Sequence, residues 1–318
     1  MFDPFGDFAT RGYLRNLRGD ADPRVVKASE HNFFEANIDE ALQYLAARAD
    51  LTYQDFLAVH RILFSDYYPW AGMDRTKTMP TSAVRKGDVL FSHPQAAQLA
   101  VEYGLRIGQD PARMNKSPGE VMGAFAHGHP FLDGNGRTML LVHIELCHRS
   151  GFAIDWQRTS KTDYLGALTN ELDTPGRGVL DAYLMPFKVP AVERAKWGAS
   201  ILSMKGLDGL DEGNEIDGDL SDPVIAEKYR KAEEKRGYMY EAMQTLAHTW
   251  NAKPGHLRET GQILALSDAE VIQDAGRGRH VVWDRRRIQD DDLAIGESVT
   301  IHESGVVERP AIDRDRGR

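Results

Sequence analysis

His129, Asp133, Asn135 and Arg137 fall within one nine-residue string, His129-Pro130-Phe131-Leu132-Asp133-Gly134-Asn135-Gly136-Arg137. With the two glycines they form a set suited to activating a hydroxyl and holding a metal-bound polyphosphate. An imidazole titrates close enough to neutrality to take a proton from an attacking hydroxyl, so His129 is the candidate general base. Asp133 is the candidate metal residue, because Mg²⁺ is commonly held by one or two carboxylates plus substrate phosphates. Gly134 and Gly136 let the backbone approach a ligand closely, and the unpaired N–H groups of a helix's first turn favour an anion. Arg137 adds a directional, bidentate phosphate contact. Phe131, between polar positions, reads as the plug that anchors this loop in the core.

The flanking sequence predicts the elements that carry this loop. Met139, Leu140, Val142, Ile144, Leu146 and Cys147 recur as an apolar run before Gly151, so a helix is expected from Gly134 or Asn135 to about Ser150. Ser117-Pro118-Gly119-Glu120 reads as a capping box with proline at the first helical position, followed by core-facing Val121, Met122 and Phe125. The chemistry-bearing segment is therefore the loop of a helix–loop–helix. Thr52-Tyr53-Gln54-Asp55 starts another amphipathic helix through Phe56, Leu57, Val59, His60, Leu63 and Phe64. It leads into Tyr68-Pro69-Trp70-Ala71-Gly72 and Arg75. Between the two regions, Lys86-Gly87-Asp88 is a turn flanked by Ala83-Val84 and Val89-Leu90-Phe91, which predicts a hairpin.

The nine-residue string resembles the signature of Fic-domain proteins, H-x-F-x-[D/E]-G-N-G-R followed by x-x-R. It matches through Arg137 and departs at Leu140, where a second arginine is expected. The stretch His60-Arg61-x-Leu63-Phe64 through Tyr68-Pro69-Trp70-Ala71-Gly72 and Arg75 is similar to the same family. The resemblance implies a mainly α fold, a helical bundle with a β-hairpin flap. It implies an enzyme that binds ATP and Mg²⁺ and transfers AMP to a Ser, Thr or Tyr hydroxyl of a protein substrate. His129 would be the base and Asp133 would hold Mg²⁺ across the α- and β-phosphates. Asn135 would help place the α-phosphate, and Gly134, Gly136 and Arg137 would stabilise developing charge. The flap, with Lys86, Gly87, Asp88 and Val89, would register an extended segment of the target by strand pairing.

Leu140 bears on the donor. In AMP-transferring relatives the second arginine grips the outer phosphate. Doc-type kinases also lack it, but they carry a lysine in place of the second glycine, which is present here as Gly136. AMP transfer therefore stands ahead of a Doc-like kinase or another nucleotide donor. The inhibitory pattern [S/T]-x-x-x-E-[G/N] has no match: Glu212-Gly213 follows Asp208, and Glu35 precedes Ala36. The expectation is a bacterial toxin or effector controlled by a separate small antitoxin chain. Outside the enzyme class stand an inactive Fic scaffold and a plasmid-associated binding protein.

Composition sets bounds. The formal net charge of −9 over 318 residues argues against a general nucleic-acid binder. One cysteine, Cys147, cannot form an intramolecular disulfide and suits a reducing compartment. The N-terminus lacks a Sec-type signal and no run reaches membrane-span length, so a cytoplasmic bacterial protein with no membrane partner is expected, with non-Sec export left open. His127, His129 and Asp133 could form a metal trio, but a glycine-rich helix start fits phosphate better. His143 and His148 lack the i, i+4 spacing of H-E-x-x-H.

Five regions are expected: a catalytic domain over 1–200, an acidic flexible linker over 201–223, a charged helix over 224–255, a small all-β, barrel-like module over 256–310, and a tail over 311–318. Helices are predicted near 38–48, 52–64, 94–108, 117–127, 135–150, 161–173 and 178–187. Gly206 to Asp222 holds seven acidic residues and no Lys or Arg, too little apolar surface to order itself. The C-terminal strands resemble KfrB-type modules of plasmid-associated proteins. Arg277, Arg279 and Arg285 to Arg287 offer weak support for nucleic-acid contact, since Asp284 and Asp290 to Asp292 dilute the charge.

Overall fold

Side-chain caps at Asp22, Thr52, Asp74, Asp110 and Ser160 start five helices of the first domain. In a computed structural model, residues 15–86, 89–202, 215–236, 253–267, 269–276 and 279–309 are described. The chain divides into two compact units, Met1–Ile225 and Ala226–Arg318.

Asp22 caps α1 (Pro23–Ala46) by accepting from the Arg24 N–H at 2.8 Å, with Pro23 at the first position. This helix begins well before the start expected near residue 38. Thr52 and Asp55 form a reciprocal capping box at α2 (Tyr53–Phe64). The short α3 (Arg75–Thr78) is capped by Asp74. The hairpin strands β1 (Ser82–Lys86) and β2 (Val89–Leu90) come next. They lead to α4 (Ala97–Gly108), α5 (Pro111–Lys116), α6 (Pro118–Gly128) and α7 (Asn135–Arg149). After α7 come β3 (Phe152–Ile154), α8 (Lys161–Asp173), α9 (Val179–Leu184), β4 (Lys188–Pro190) and α10 (Trp197–Leu202). The side chains of Phe34, Ile38, Leu45, Phe56, Leu63, Phe64, Phe125 and Phe131 are all but inaccessible, and they place the core between α1, α2, α6 and the loop before α7.

The capping box expected at Ser117 does not form. Ser117 makes no side-chain cap, and Glu120 instead accepts from the Tyr103 hydroxyl at 2.6 Å. The Gly119 N–H is satisfied from α9, by Asp181 Oδ1 at 2.6 Å. A tertiary carboxylate has taken the first-turn role that the local Ser117 hydroxyl was expected to fill.

β1 and β2 pair antiparallel, with Arg85 opposite Leu90 and Lys86 opposite Val89, while Gly87 and Asp88 lie outside the described residues. The other edge of β1 pairs with β5 (Glu215–Asp219), from Ser82 opposite Asp219 to Arg85 opposite Glu215. Part of the acidic stretch read as unstructured is thus a strand. An open sheet edge supplies backbone hydrogen bonds that need no apolar side chains, and composition does not report such an edge. Residues 203–214 of that stretch lie outside the described residues. The helix α11 (Pro223–Arg236) follows; residues 237–252 of the expected charged helix, and the tail, are likewise outside them.

The second unit is all-β in its sheet but is not a barrel. β6 (Lys253–Pro254), β7 (Arg258–Leu266), β8 (Glu270–Asp274), β9 (His280–Asp284), β10 (Ser298–His302) and β11 (Val307–Glu308) form one open sheet of order β11-β10-β7-β8-β9-β6. Closure would require the two edges to pair along their length, and each edge strand is two residues long. One face carries a core of Ile263, Val271, Val281, Trp283, Leu293, Val299 and Ile301. Buried Gln273 ties three strands to its own, donating to the Gly261 and Val299 carbonyls at 3.2 and 3.0 Å and accepting from Trp283 Nε1 at 2.9 Å. Among the described residues no helix is long and apolar enough to cross a membrane.

Candidate active site

His129 is the C-cap of α6 and sits in the left-handed region at φ 42°, ψ 57°, which few non-glycine residues adopt. A dense set of bonds imposes that conformation. The Arg75 side chain, wholly buried, donates from Nε to the His129 carbonyl at 2.8 Å and from Nη2 to the Ser92 carbonyl at 2.7 Å. Nη2 also reaches the Gly128 carbonyl at 3.3 Å, which accepts from Ser92 Oγ at 2.9 Å. The Arg75 N–H donates to the Pro130 carbonyl at 2.7 Å. The His129 ring lies flat on Phe91, with centroids 3.5 Å apart and planes 7° from parallel. Phe91 directly follows β2, so the hairpin fixes one face of the imidazole.

The loop to α7 is held from both sides. Phe131 is fully buried and stacks on His60 at 3.8 Å and Phe56 at 6.0 Å, as a plug should. Asn135 accepts from the Phe131 N–H at 2.9 Å and donates to its carbonyl at 2.8 Å, closing the loop on itself. The Gly72 N–H donates to His60 Nδ1 at 2.9 Å, so Nε2 carries the ring proton and donates to the Asp133 carbonyl at 2.9 Å. Burial lowers the His60 pKa to about 3, with the bond to the Asp133 carbonyl acting weakly the other way; the ring is a neutral strut.

The two loop glycines serve different ends. Gly134 has φ 75°, and a Cβ there would lie 2.6 Å from Phe64 Cε2, so internal packing demands glycine. A Cβ on Gly136 would meet nothing within 4 Å. The first turn of α7 thus faces open space beside the loop, and no side chain caps it.

Beside this turn, α1 contributes charge that the motif does not contain. Lys27 Nζ pairs with Asp133 Oδ2 and, at 3.3 Å, with Glu30 Oε2, while Glu30 Oε1 pairs with Arg137 Nη2. Burial opposes ionisation of Asp133, but Lys27, Arg137 and the Gly134 N–H at 2.7 Å outweigh it and hold the carboxylate below its ordinary range. Burial dominates for Glu30 and raises its pKa despite Arg137. The Arg137 guanidinium lies 5.0 Å from the Phe64 ring centroid, and its buried Nη1 has no hydrogen-bond partner. Leu140 is buried, and no cation takes its place on α7 near Arg137.

The structure therefore gathers His129, Asp133, Gly134, Asn135, Gly136 and Arg137 around one loop, with Lys86 and Val89 on the hairpin that leads to Phe91. It adds Lys27, Glu30, His60 and Arg75, to which sequence reasoning assigned no role in the site. Asp22-Pro23, a cap followed by a first-turn proline, was the signal that could have found α1. Among the described residues no group of three or more His, Cys, Asp or Glu is placed to hold a metal ion, so the His127, His129 and Asp133 trio does not form. His143 bonds the Pro118 carbonyl at 2.8 Å, and burial lowers its pKa to about 4. In the second unit Arg279 pairs with Glu259 and Arg286 with Asp284, at 2.7 and 2.9 Å, while Arg285 bonds the Asp290 carbonyl at 2.8 Å. Arg277 lies outside the described residues.

Residues 50–147 match the family model of the Fic/DOC family. Over 171 residues the chain is 30% identical to protein adenylyltransferase VbhT of Bartonella schoenbuchensis, covering 51% of this chain and 34% of that protein. Over 166 residues it is 29% identical to the probable protein adenylyltransferase y4lH of Sinorhizobium fredii, covering 49% of this chain and 81% of that one. The chain thus spans about a third of the length of the first relative. The N-terminal FIC domain of Bep8, an effector from Bartonella sp. 1-1C, shares the fold with a TM-score of 0.50 at 13% identity, covering 60% of this chain and 97% of that one. The chain carries a Fic/DOC-family domain with distant adenylyltransferase relatives.

Proposed function

We propose that the protein is an adenylyltransferase that moves AMP from ATP to a Ser, Thr or Tyr hydroxyl of a protein. The observation that carries this reading is a histidine locked in a strained loop conformation next to an uncapped helix start, with open space above Gly136 and an unpartnered Arg137 Nη1. Uncapped N–H groups and a buried guanidinium with an unused donor are the donor set of an anion site. Asp133, ionised at neutral pH and 22% exposed, fits a Mg²⁺ ion that takes its other ligands from phosphates and water. When bound, such an ion neutralises phosphate charge.

His129 accepts the hydroxyl proton as the substrate oxygen attacks the α-phosphorus, and pyrophosphate leaves. Phe91 stacking and the Arg75 bonds keep the imidazole from rotating out of line. Arg137 and the N–H groups of the Gly136 turn stabilise charge developing on the phosphate oxygens. Asn135 acts through the loop, because its amide is engaged with Phe131. The target segment docks on the hairpin. β5 already occupies the β1 edge, so docking uses the β2 side or displaces β5.

Two finer readings belong to the same proposal. A separate antitoxin chain controls the enzyme as a toxin or effector, supported by the missing inhibitory pattern in the sequence. The second unit is a KfrB-like tether to plasmid-associated machinery, in which paired arginines favour a protein over nucleic acid.

The deciding experiment incubates the purified protein and a bacterial lysate with ATP labelled at the α- or the γ-phosphate, with His129→Ala as control. Protein label from the α position alone, lost in H129A, is the expected result. Label from the γ position alone establishes a Doc-like kinase instead.

A further inference from the structure

We infer that Lys27 of α1 is a nucleotide-binding residue that grips the phosphates beyond the α-phosphate, supplying the cation that position 140 lacks. The inference rests on the nucleotide reading above and deepens it.

Four charged side chains form one chain of contacts, Asp133 to Lys27 to Glu30 to Arg137. They differ in exposure. Glu30 is completely buried and Arg137 keeps 9% of its side-chain surface, whereas Lys27 and Asp133 keep 21% and 22%. The two more exposed members are the pair that meets, so the Lys27 side chain reaches the surface beside the carboxylate best placed to share a metal-bound phosphate. Glu30 satisfies Arg137 through Nη2 only and leaves Nη1 unpartnered. Arg137 Nη1 is buried as well as unpartnered, so for a polyanion seated over Gly136 Lys27 is the more exposed of the two cations. On α7 itself, Leu140 stands one turn beyond Arg137 with 7% exposure and no charge to offer. Glu30 is then a positioning residue: it aims both cations and touches no ligand itself.

An ammonium is a compact point charge with three rotatable donors, so Lys27 can turn from Asp133 to a phosphate oxygen without losing Glu30. A purely structural Lys27 would affect folding, with no preference among nucleotides. A Lys27 that blocks the site by holding Asp133 would weaken binding, and its removal would tighten it.

The test is titration calorimetry of AMP, ADP and ATP, each with Mg²⁺, on the full chain as wild type, Lys27→Met and Lys27→Arg. The expected result is that K27M weakens ATP and ADP by about tenfold or more, the scale of one charge-assisted hydrogen bond. AMP stays within about twofold on the same scale, and K27R retains most of the ATP affinity. Equal weakening of all three nucleotides, no change, or tighter ATP binding in K27M overturns the inference. Failure of the wild type to bind ATP overturns the nucleotide reading itself and is seen in a different arm. Thermal melting of each variant confirms that the fold is intact, and K27R carries the comparison if K27M melts early.

Discussion

Replacing Arg75 by methionine tests whether the histidine loop is held by tertiary bonds or by its own sequence. Arg75→Met keeps most of the side-chain volume and removes every guanidinium donor. The His129 and Ser92 carbonyls lose donors at 2.8 and 2.7 Å, while Gly128 retains Ser92 Oγ. Each buried polar group left unpaired costs roughly 1–3 kcal/mol, so the two together cost about 4 kcal/mol. For a unit of this size, about 2–4 °C per kcal/mol gives a fall in melting temperature of roughly 8–16 °C. A second consequence is local. His129 pays about 1–2 kcal/mol for its left-handed backbone, and without Arg75 it relaxes toward ordinary conformations. Label transfer should therefore fall further than loss of folded protein explains, even at temperatures where the variant is folded. Hydrogen exchange of amides 127–133 would rise at the same temperature. Lysine at 75 restores charge but not the fork, so it should recover only part of the stability. A methionine variant that melts within about 2 °C of wild type, with unchanged exchange in that loop, would mean that the loop holds its conformation without Arg75.

The two loop glycines should respond oppositely. Gly136→Ala meets no neighbour and gains helix propensity of about 0.5–1 kcal/mol, yet it fills the space over the helix start, so melting rises slightly while ATP binding weakens. Gly134→Ala combines a positive φ with a contact 2.6 Å from Phe64 Cε2 and should destabilise the fold; equal behaviour of the two would contradict the assignment of open space. Stability should also depend on pH through buried neutral histidines. The His60 and His143 pKa values are pushed by burial to about 3 and about 4, below the 6.5 of an unfolded chain. The unfolded state therefore binds more protons below pH 6.5, and stability present above that value is lost as pH falls toward 4. Each histidine contributes about 2 kcal/mol between pH 7 and 5. The raised pKa of Glu30 acts in the opposite sense at the acid end. Denaturant titrations at pH 7 and 5 on wild type and His143→Gln would show a shallower loss in the variant, and an identical loss would exclude His143 as a source.

Local order was legible at most short-range signals, the capping box expected at Ser117 excepted. The string from His129 to Arg137 is read directly from residue order, and the helix starts after Thr52 and Gly134 and the hairpin around Lys86 rest on contacts within a few residues. Such patterns survive in a single sequence because the backbone groups they satisfy are neighbours in the chain. Three decisions needed distant partners. The acidic stretch became a strand only because β1 offered an open edge more than a hundred residues upstream. The C-terminal strands alternate as a barrel's would, but the length of the two edge strands decides closure, and that is a property of the sheet. The charge balance of the site was set by Lys27 and Glu30, about a hundred residues before the motif they serve. Residue order therefore marked the candidate groups and the loop that carries them. Tertiary structure decided which charges face them and which backbone strain they bear, because electrostatics and packing depend on distance through space, to which spacing along the chain is blind.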